Sequence, residues 1–241
     1  MSAGAPPLAA RVDAALAWLQ AHASAATRAG MARYAIPSTH AYGVAMRDIK
    51  ALGQTIGRDH DLAQALWRTG VYEARMLTSF VGDPARLTPA QMDRWCRDFD
   101  NWAFCDALAF NLFDRSPHAW DKLRQWSSAP GEFQKRSAFA LLWSLTVHDK
   151  LAADEAFIEG LALIEREAGD PRHFVKKALN MALRAVGKRN SALRAAAIGA
   201  AQRLVASTDA GAQWIGKDAL RELGRLPSMP RRPGPAKSRR P

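Results

Sequence analysis

Apolar residues recur at three- and four-residue intervals along most of the chain, and glycine, proline and polar breaks interrupt them at short spacing. The segments between breaks are rich in Ala, Leu, Arg and Trp, and none alternates β-branched with polar residues, so the pattern predicts helices and no strands. Helices are predicted over Leu8 to Ala23, Tyr42 to Ile56, Asp61 to Arg68, Val71 to Phe80, Pro89 to Phe99 and Trp102 to Phe113. Six more follow over Pro117 to Trp126, Phe133 to His148, Asp154 to Ala168, His173 to Val186, Ala192 to Ser207 and Gln213 to Leu223. Thr88-Pro89 supplies a capping hydroxyl followed by proline at the first helical position, and Pro130-Gly131-Glu132 separates two elements.

About 12 helices with no long linker form about six pairs of roughly 35 to 40 residues, the length of a HEAT-like unit. The predicted fold class is all-α, a HEAT-like helical repeat solenoid with a concave basic face, occupying residues 1–225 as one domain. No strict internal repeat is present, and a compact irregular bundle produces much the same pattern. The tail from Leu226 to Pro241 mixes five prolines with Arg and Lys, cannot bury a core, and is expected to be disordered.

One helix breaks the apolar pattern. Between Trp102 and Phe113 nearly every face is apolar, yet Asp106 sits in the middle. A carboxylate there must be paired, neutral or useful. Trp102 lies four residues earlier, which stacks indole and carboxylate on one face, one turn apart. Arg136 poses the same question early in another apolar helix, where a salt bridge to a structural carboxylate and a functional contact are both open. Of the other seven tryptophans, Trp67, Trp95, Trp120, Trp126 and Trp143 sit at helical spacing among Leu and Ala and read as core.

Charge then adds a partner. The 241 residues carry 34 Lys and Arg against 23 Asp and Glu, a net charge of +11. Eight of the bases lie between Arg172 and Ser207 and six more from Arg225 to the end, with no acid in either stretch. Outside these fourteen the chain has 20 bases and 23 acids, so the excess is local, as a polyanion-binding face requires. Lys177, Met181, Arg184 and Lys188 share one face of the predicted basic helix and form candidate phosphate contacts, with Arg189 just beyond.

Several classes are excluded as expectations. The six histidines are scattered, neither Cys96 nor Cys105 has a ligand partner at suitable spacing, and there is no H-E-x-x-H, glycine-rich phosphate loop or G-x-S-x-G elbow. No metal and no cofactor is expected. The longest apolar run, Ala138 to Val147, is too short to span a bilayer, so no membrane role is expected either. Leu8 to Ala23 is read as a first helix rather than a signal peptide, because Arg11, Asp13, Gln20 and His22 interrupt it, and cysteine usage favours a reducing compartment.

Gly30-Met31-Ala32-Arg33-Tyr34, Tyr72-Glu73-Ala74-Arg75, Asp98-Phe99-Asp100-Asn101-Trp102 with Cys105-Asp106, Lys135-Arg136, Ala138-Phe139-Ala140-Leu141, His148-Asp149-Lys150, Phe174-Val175-Lys176-Lys177-Ala178 and Gly187-Lys188-Arg189-Asn190 occur in that order. Together they resemble the AlkD-like DNA alkylation repair family from about Gly30 to about Arg225. The resemblance implies a monofunctional glycosylase of base-excision repair that removes cationic N3- or N7-alkylated purines from double-stranded DNA, acting as a cytoplasmic, nucleoid-associated monomer. It further implies that Asp106 is the catalytic carboxylate, that Trp102 is the aromatic beside it, and that Arg136 and Tyr34 contact DNA. The chain departs from the family where Met181 replaces a tryptophan on the basic helix, which keeps a non-catalytic DNA-binding repeat protein as the alternative. A helical-repeat adaptor for acidic proteins would explain the basic face but not the Trp102 and Asp106 pair.

Overall fold

The computed structural model describes residues 6–225, and the predicted basic tail lies outside them. Among the described residues there are thirteen α-helices, three short 3-10 segments and no strand. The chain divides into two compact units, Met1–Leu141 and Leu142–Pro241. The boundary falls inside a helix, so no break in the sequence pattern marks it.

The first unit holds α1 (Leu8–Ala21), α2 (Ala25–Gly30), a 3-10 segment Met31–Tyr34, α3 (Met46–Ile56), α4 (His60–Arg68), α5 (Tyr72–Val81), α6 (Pro89–Arg97), α7 (Trp102–Asn111), α8 (Ala119–Ser127) and the start of α9 (Glu132–His148). Side-chain caps begin several of these. Asp59 accepts from the Leu62 N–H at 3.0 Å, and Thr88 accepts from the Gln91 N–H at 3.2 Å ahead of Pro89, as its sequence signature predicts. Each such cap stabilises a helix by about 1 kcal/mol. Trp67, Trp95 and Trp126 are buried, with the Trp67 and Trp95 rings stacked 5.2 Å apart. Asp98 accepts from the Trp67 indole N–H at 2.8 Å and Asp93 from that of Trp126 at 2.8 Å, so these buried donors are satisfied.

Two differences from the predicted elements have clear causes. The helix expected from Tyr42 starts only at Met46, because Tyr42, Gly43 and Val44 give their N–H groups to the buried Glu73 carboxylate at 2.9, 2.7 and 3.2 Å. A helix would turn those donors away from Glu73, whose charge needs them. Gly43 serves this loop with φ +86, and a Cβ there would lie 2.3 Å from the Ser24 carbonyl oxygen. Second, α2 is an unpredicted six-residue helix started by the Ser24 hydroxyl, too short to show a period.

The second unit holds the end of α9, α10 (Asp154–Glu167), α11 (His173–Gly187), α12 (Ser191–Val205) and α13 (Ala210–Leu223). Helix α12 packs against α10, α11 and α13, and α11 also meets α13. Small residues let backbones approach: a Cβ on Gly216 would stand 2.5 Å from the Ala201 carbonyl oxygen. Asn190 starts α12 by accepting from the Leu193 N–H at 2.8 Å, and Asp209 starts α13 by accepting from the Ala212 N–H at 2.7 Å.

Candidate functional site

Helix α7 begins at Trp102 because Asn101, extended and almost fully buried, caps it. The Asn101 side-chain oxygen accepts from the N–H groups of Ala103 and Phe104 at 3.0 and 3.4 Å. Trp102 is thus the first helical residue, with no preceding helical turn to crowd its indole. Its ring N–H donates to the Tyr34 carbonyl at 2.8 Å. That carbonyl is presented by the 3-10 segment Met31–Tyr34, which closes on Ala35 in the left-handed region at φ 53. The Tyr34 ring itself is 62 % exposed.

Asp106 follows one turn later on the Trp102 face. Both of its carboxylate oxygens accept from Arg136 Nη2, at 2.8 and 2.9 Å. The Asp106 side chain keeps 20 % of its surface open, whereas that of Arg136 keeps 4 %. The guanidinium therefore lies behind the carboxylate, and its centre is 5.8 Å from the Trp102 ring, within cation–π reach. Burial pushes the Asp106 carboxyl above its ordinary range, and the charge of Arg136 and its hydrogen bonds act the other way. The sequence left two roles open for Arg136, and the geometry is that of the ion pair. Arg136 is thus buried and bonded to Asp106 in the free protein. The resulting cluster of Tyr34, Trp102, Asp106 and Arg136 joins an indole face to a fixed, partly open carboxylate, an arrangement suited to a positive centre.

The shell behind α7 is apolar and rigid. Phe104 packs on Trp67, Tyr72 and Phe99 with centroids 5.8, 5.1 and 6.0 Å away. The Cys105 thiol is buried beside the pair and faces the Asn101 and Phe133 carbonyls, and burial raises its pKa strongly. Glu73 was legible as part of a motif but without a role; by holding residues 42–44 it fixes the loop that leads from Tyr34 into α3. An acid inside a predicted apolar helix face was the available signal.

The basic stripe on α11 is present, but it is not free of acids in space. Helix α13 runs beside it with Trp214, Asp218 and Glu222 at four-residue intervals. The Lys176 and Lys177 ammonium groups each lie 5.2 Å from the Trp214 ring centroid. Arg184 pairs with Glu222 and lies 3.8 Å from Asp218, and Lys188 also pairs with Glu222. Lys188 and Arg184 hold the Glu222 carboxyl below its usual range. The ascending order of the partners on both helices makes α11 and α13 run in the same sense. The acid-free stretch in the sequence is therefore partly neutralised by a helix that follows it. Met181 is half-buried between these charges.

Arg189, expected at the phosphate face, lines a cavity there with Met181, Arg184 and Lys188, and its guanidinium is also held by backbone carbonyls. Its guanidinium donates to the carbonyls of Thr146, Asp149 and Ala152 at 3.0, 2.7 and 3.2 Å and lies 4.3 Å over the Phe157 ring. Carbonyls left over at the end of α9 need donors, and a planar five-donor cation satisfies several at once. Trp143, read as core, is half-exposed and lines a cavity of about 430 Å³ together with Met181, Arg184, Lys188 and Glu222. Among the described residues no three His, Cys, Asp or Glu side chains gather as a metal would require, and no helix is long and apolar enough to cross a membrane.

A family model described as "DNA alkylation repair enzyme" matches residues 15–223. No curated protein matches the sequence. A solved structure described as representing "a new family of proteins related to the HEAT-like repeat DNA glycosylases with affinity for branched DNA structures" is similar with a TM-score of 0.74. The match is 19% identical and covers 90% of this chain and 97% of that chain. At that identity the likeness is one of fold, and the fold of this chain is accordingly all-helical and HEAT-like.

Proposed function

The chain belongs to the DNA alkylation repair enzyme family, and from that premise we propose that it is a monofunctional DNA glycosylase hydrolysing the N-glycosidic bond of cationic N3- or N7-alkylated purines in duplex DNA. The observation that carries this reading is the Asp106 carboxylate, fixed by the buried Arg136 and open beside the Trp102 indole. An alkylated purine already bears positive charge, so its bond to C1′ can break with the electron pair leaving on the base and without a general acid. The barrier lies in the oxocarbenium-like sugar. Asp106 stabilises that sugar cation and orients the water whose oxygen bonds to C1′, and the water's proton passes to the carboxylate or to solvent. The electron-rich face of Trp102 attracts the cationic lesion.

Lys177 supplies charge for backbone phosphates, as do Arg184 and Lys188 once released from Glu222, with the exposed Tyr34 beside the reacting sugar. Arg136 acts through Asp106 as a positioning residue. The protein works in this reading as a monomer on nucleoid DNA and needs no metal or cofactor.

Met181 motivates a second reading, DNA binding without cleavage, since a thioether offers a weaker π surface to a cationic lesion than the tryptophan implied by the resemblance. The described affinity of the structural relative for branched DNA gives that reading a substrate. Duplex DNA methylated at purine N7 and N3, incubated with wild type and Asp106→Asn, separates the two. Release of methylpurine by wild type and not by the variant supports the glycosylase. Equal background release by both, with tighter binding to four-way junctions than to duplex, supports the second.

A further inference from the structure

The cavity in the second unit combines an apolar wall with cations. Trp143, Val147 and Met181 provide the wall, and Lys150, Arg184, Lys188 and Arg189 the charge. Glu222 is the one acid in its lining. We propose that this cavity is a subsite for one DNA backbone phosphate and its deoxyribose, and that Glu222 holds the place of the phosphate in the free protein. The inference rests on the reading of the chain as a DNA-binding protein and adds a site and its built-in competitor.

Glu222 is bonded as a phosphate would be. Its two oxygens take different donors, Oε2 from Arg184 Nη1 and Oε1 from Lys188 Nζ, so two cations from successive turns of α11 converge on one anionic centre. The non-bridging oxygens of a phosphodiester present the same two acceptors. Exchange is inexpensive because the pairs are open: the side chains of Lys188 and Glu222 are 48% and 30% exposed, and exposed ion pairs contribute little. Asp218, 3.8 Å from the Arg184 guanidinium, remains beside it as Glu222 leaves. The sugar attached to an entering phosphate needs apolar contact, which Met181 and the 41% exposed Val147 offer. Glu222 thereby sets a toll on every DNA complex, paid only where several phosphates bind together.

The test is the affinity of an unmodified duplex, measured by fluorescence anisotropy across a potassium chloride series. Proteins compared are wild type, Glu222→Gln, Lys188→Gln, the double variant, and Glu155→Gln, which removes an exposed acid outside the cavity lining. Glu222→Gln is expected to bind about 5- to 30-fold tighter. Its plot of log affinity against log salt should keep the wild-type slope, because both proteins hold the same phosphate in the complex. Lys188→Gln should bind more weakly than wild type, and in that background Glu222→Gln should gain less. Equal affinity of Glu222→Gln and wild type, or an equal gain from Glu155→Gln, overturns the subsite and leaves DNA binding standing. A wild type that binds no duplex at low salt overturns both.

Discussion

Replacing Asp106 by asparagine keeps the shape of the side chain and removes its charge, and the neighbouring Arg136 makes the outcome unusual. A sugar cation about 4 Å from the carboxylate gains about 4 kcal/mol at an effective dielectric constant of about 20. The guanidinium, 2.8 and 2.9 Å behind the two oxygens, lies about 7 Å from that cation and opposes it by about 2 kcal/mol. Asp106→Asn deletes the first contribution and leaves the second, so the chemical step should slow about 1000-fold. Removing both charges, in Asp106→Asn with Arg136→Met, forfeits only the difference of about 2 kcal/mol and should slow it about 30-fold. The double variant should therefore outperform the single one. Stability should follow the same order, since removing one partner of a buried pair costs about 3–5 kcal/mol whereas an apolar replacement of both is close to neutral. Single-turnover release of 7-methylguanine from methylated duplex at saturating enzyme reads the first effect, and thermal unfolding reads the second. A single variant within threefold of wild type, or a double variant no faster than the single, would refute the electrostatic account.

The carboxylate must be ionised to act, so the single-turnover rate should rise with pH through a value above the ordinary carboxylate range, the direction in which burial moves Asp106. An acid limb at or below the usual carboxylate value counts against it. Glu73→Gln replaces one acceptor facing the Tyr42, Gly43 and Val44 N–H groups by a donor, and should cost about 2–4 kcal/mol, seen as an unfolding midpoint lower by about 5–15 °C. An unchanged midpoint would show that the loop does not depend on that carboxylate. Burial pushes the Cys96 thiol up to about 12, so at pH 8 only about one thiol in ten thousand is thiolate and iodoacetamide should label it only after unfolding. Labelling of the native protein within tenfold of free cysteine would contradict that placement.

Much of the fold was legible because it is local. Twelve of the thirteen helices follow from apolar spacing and from caps such as Thr88, whose effect is confined to one turn. The conspicuous site residues were legible for the same reason, since Trp102 and Asp106 share a helix face by spacing alone. The Tyr42 start failed because Glu73, 29 to 31 residues away, claims the N–H groups that a helix would use. The boundary between the two units escaped because it falls within a continuous helix.

By itself, then, the sequence determined the helical class, the odd carboxylate in an apolar helix and the basic character of α11, all properties of neighbours along the chain. Partners were decided only in three dimensions. Arg136 came to lie behind Asp106, Arg189 was drawn to three carbonyls, and Glu222 was brought onto Arg184 and Lys188. A side chain's charge is written in its residue type, but whether that charge is spent or available depends on which distant groups packing brings within about 4 Å of it.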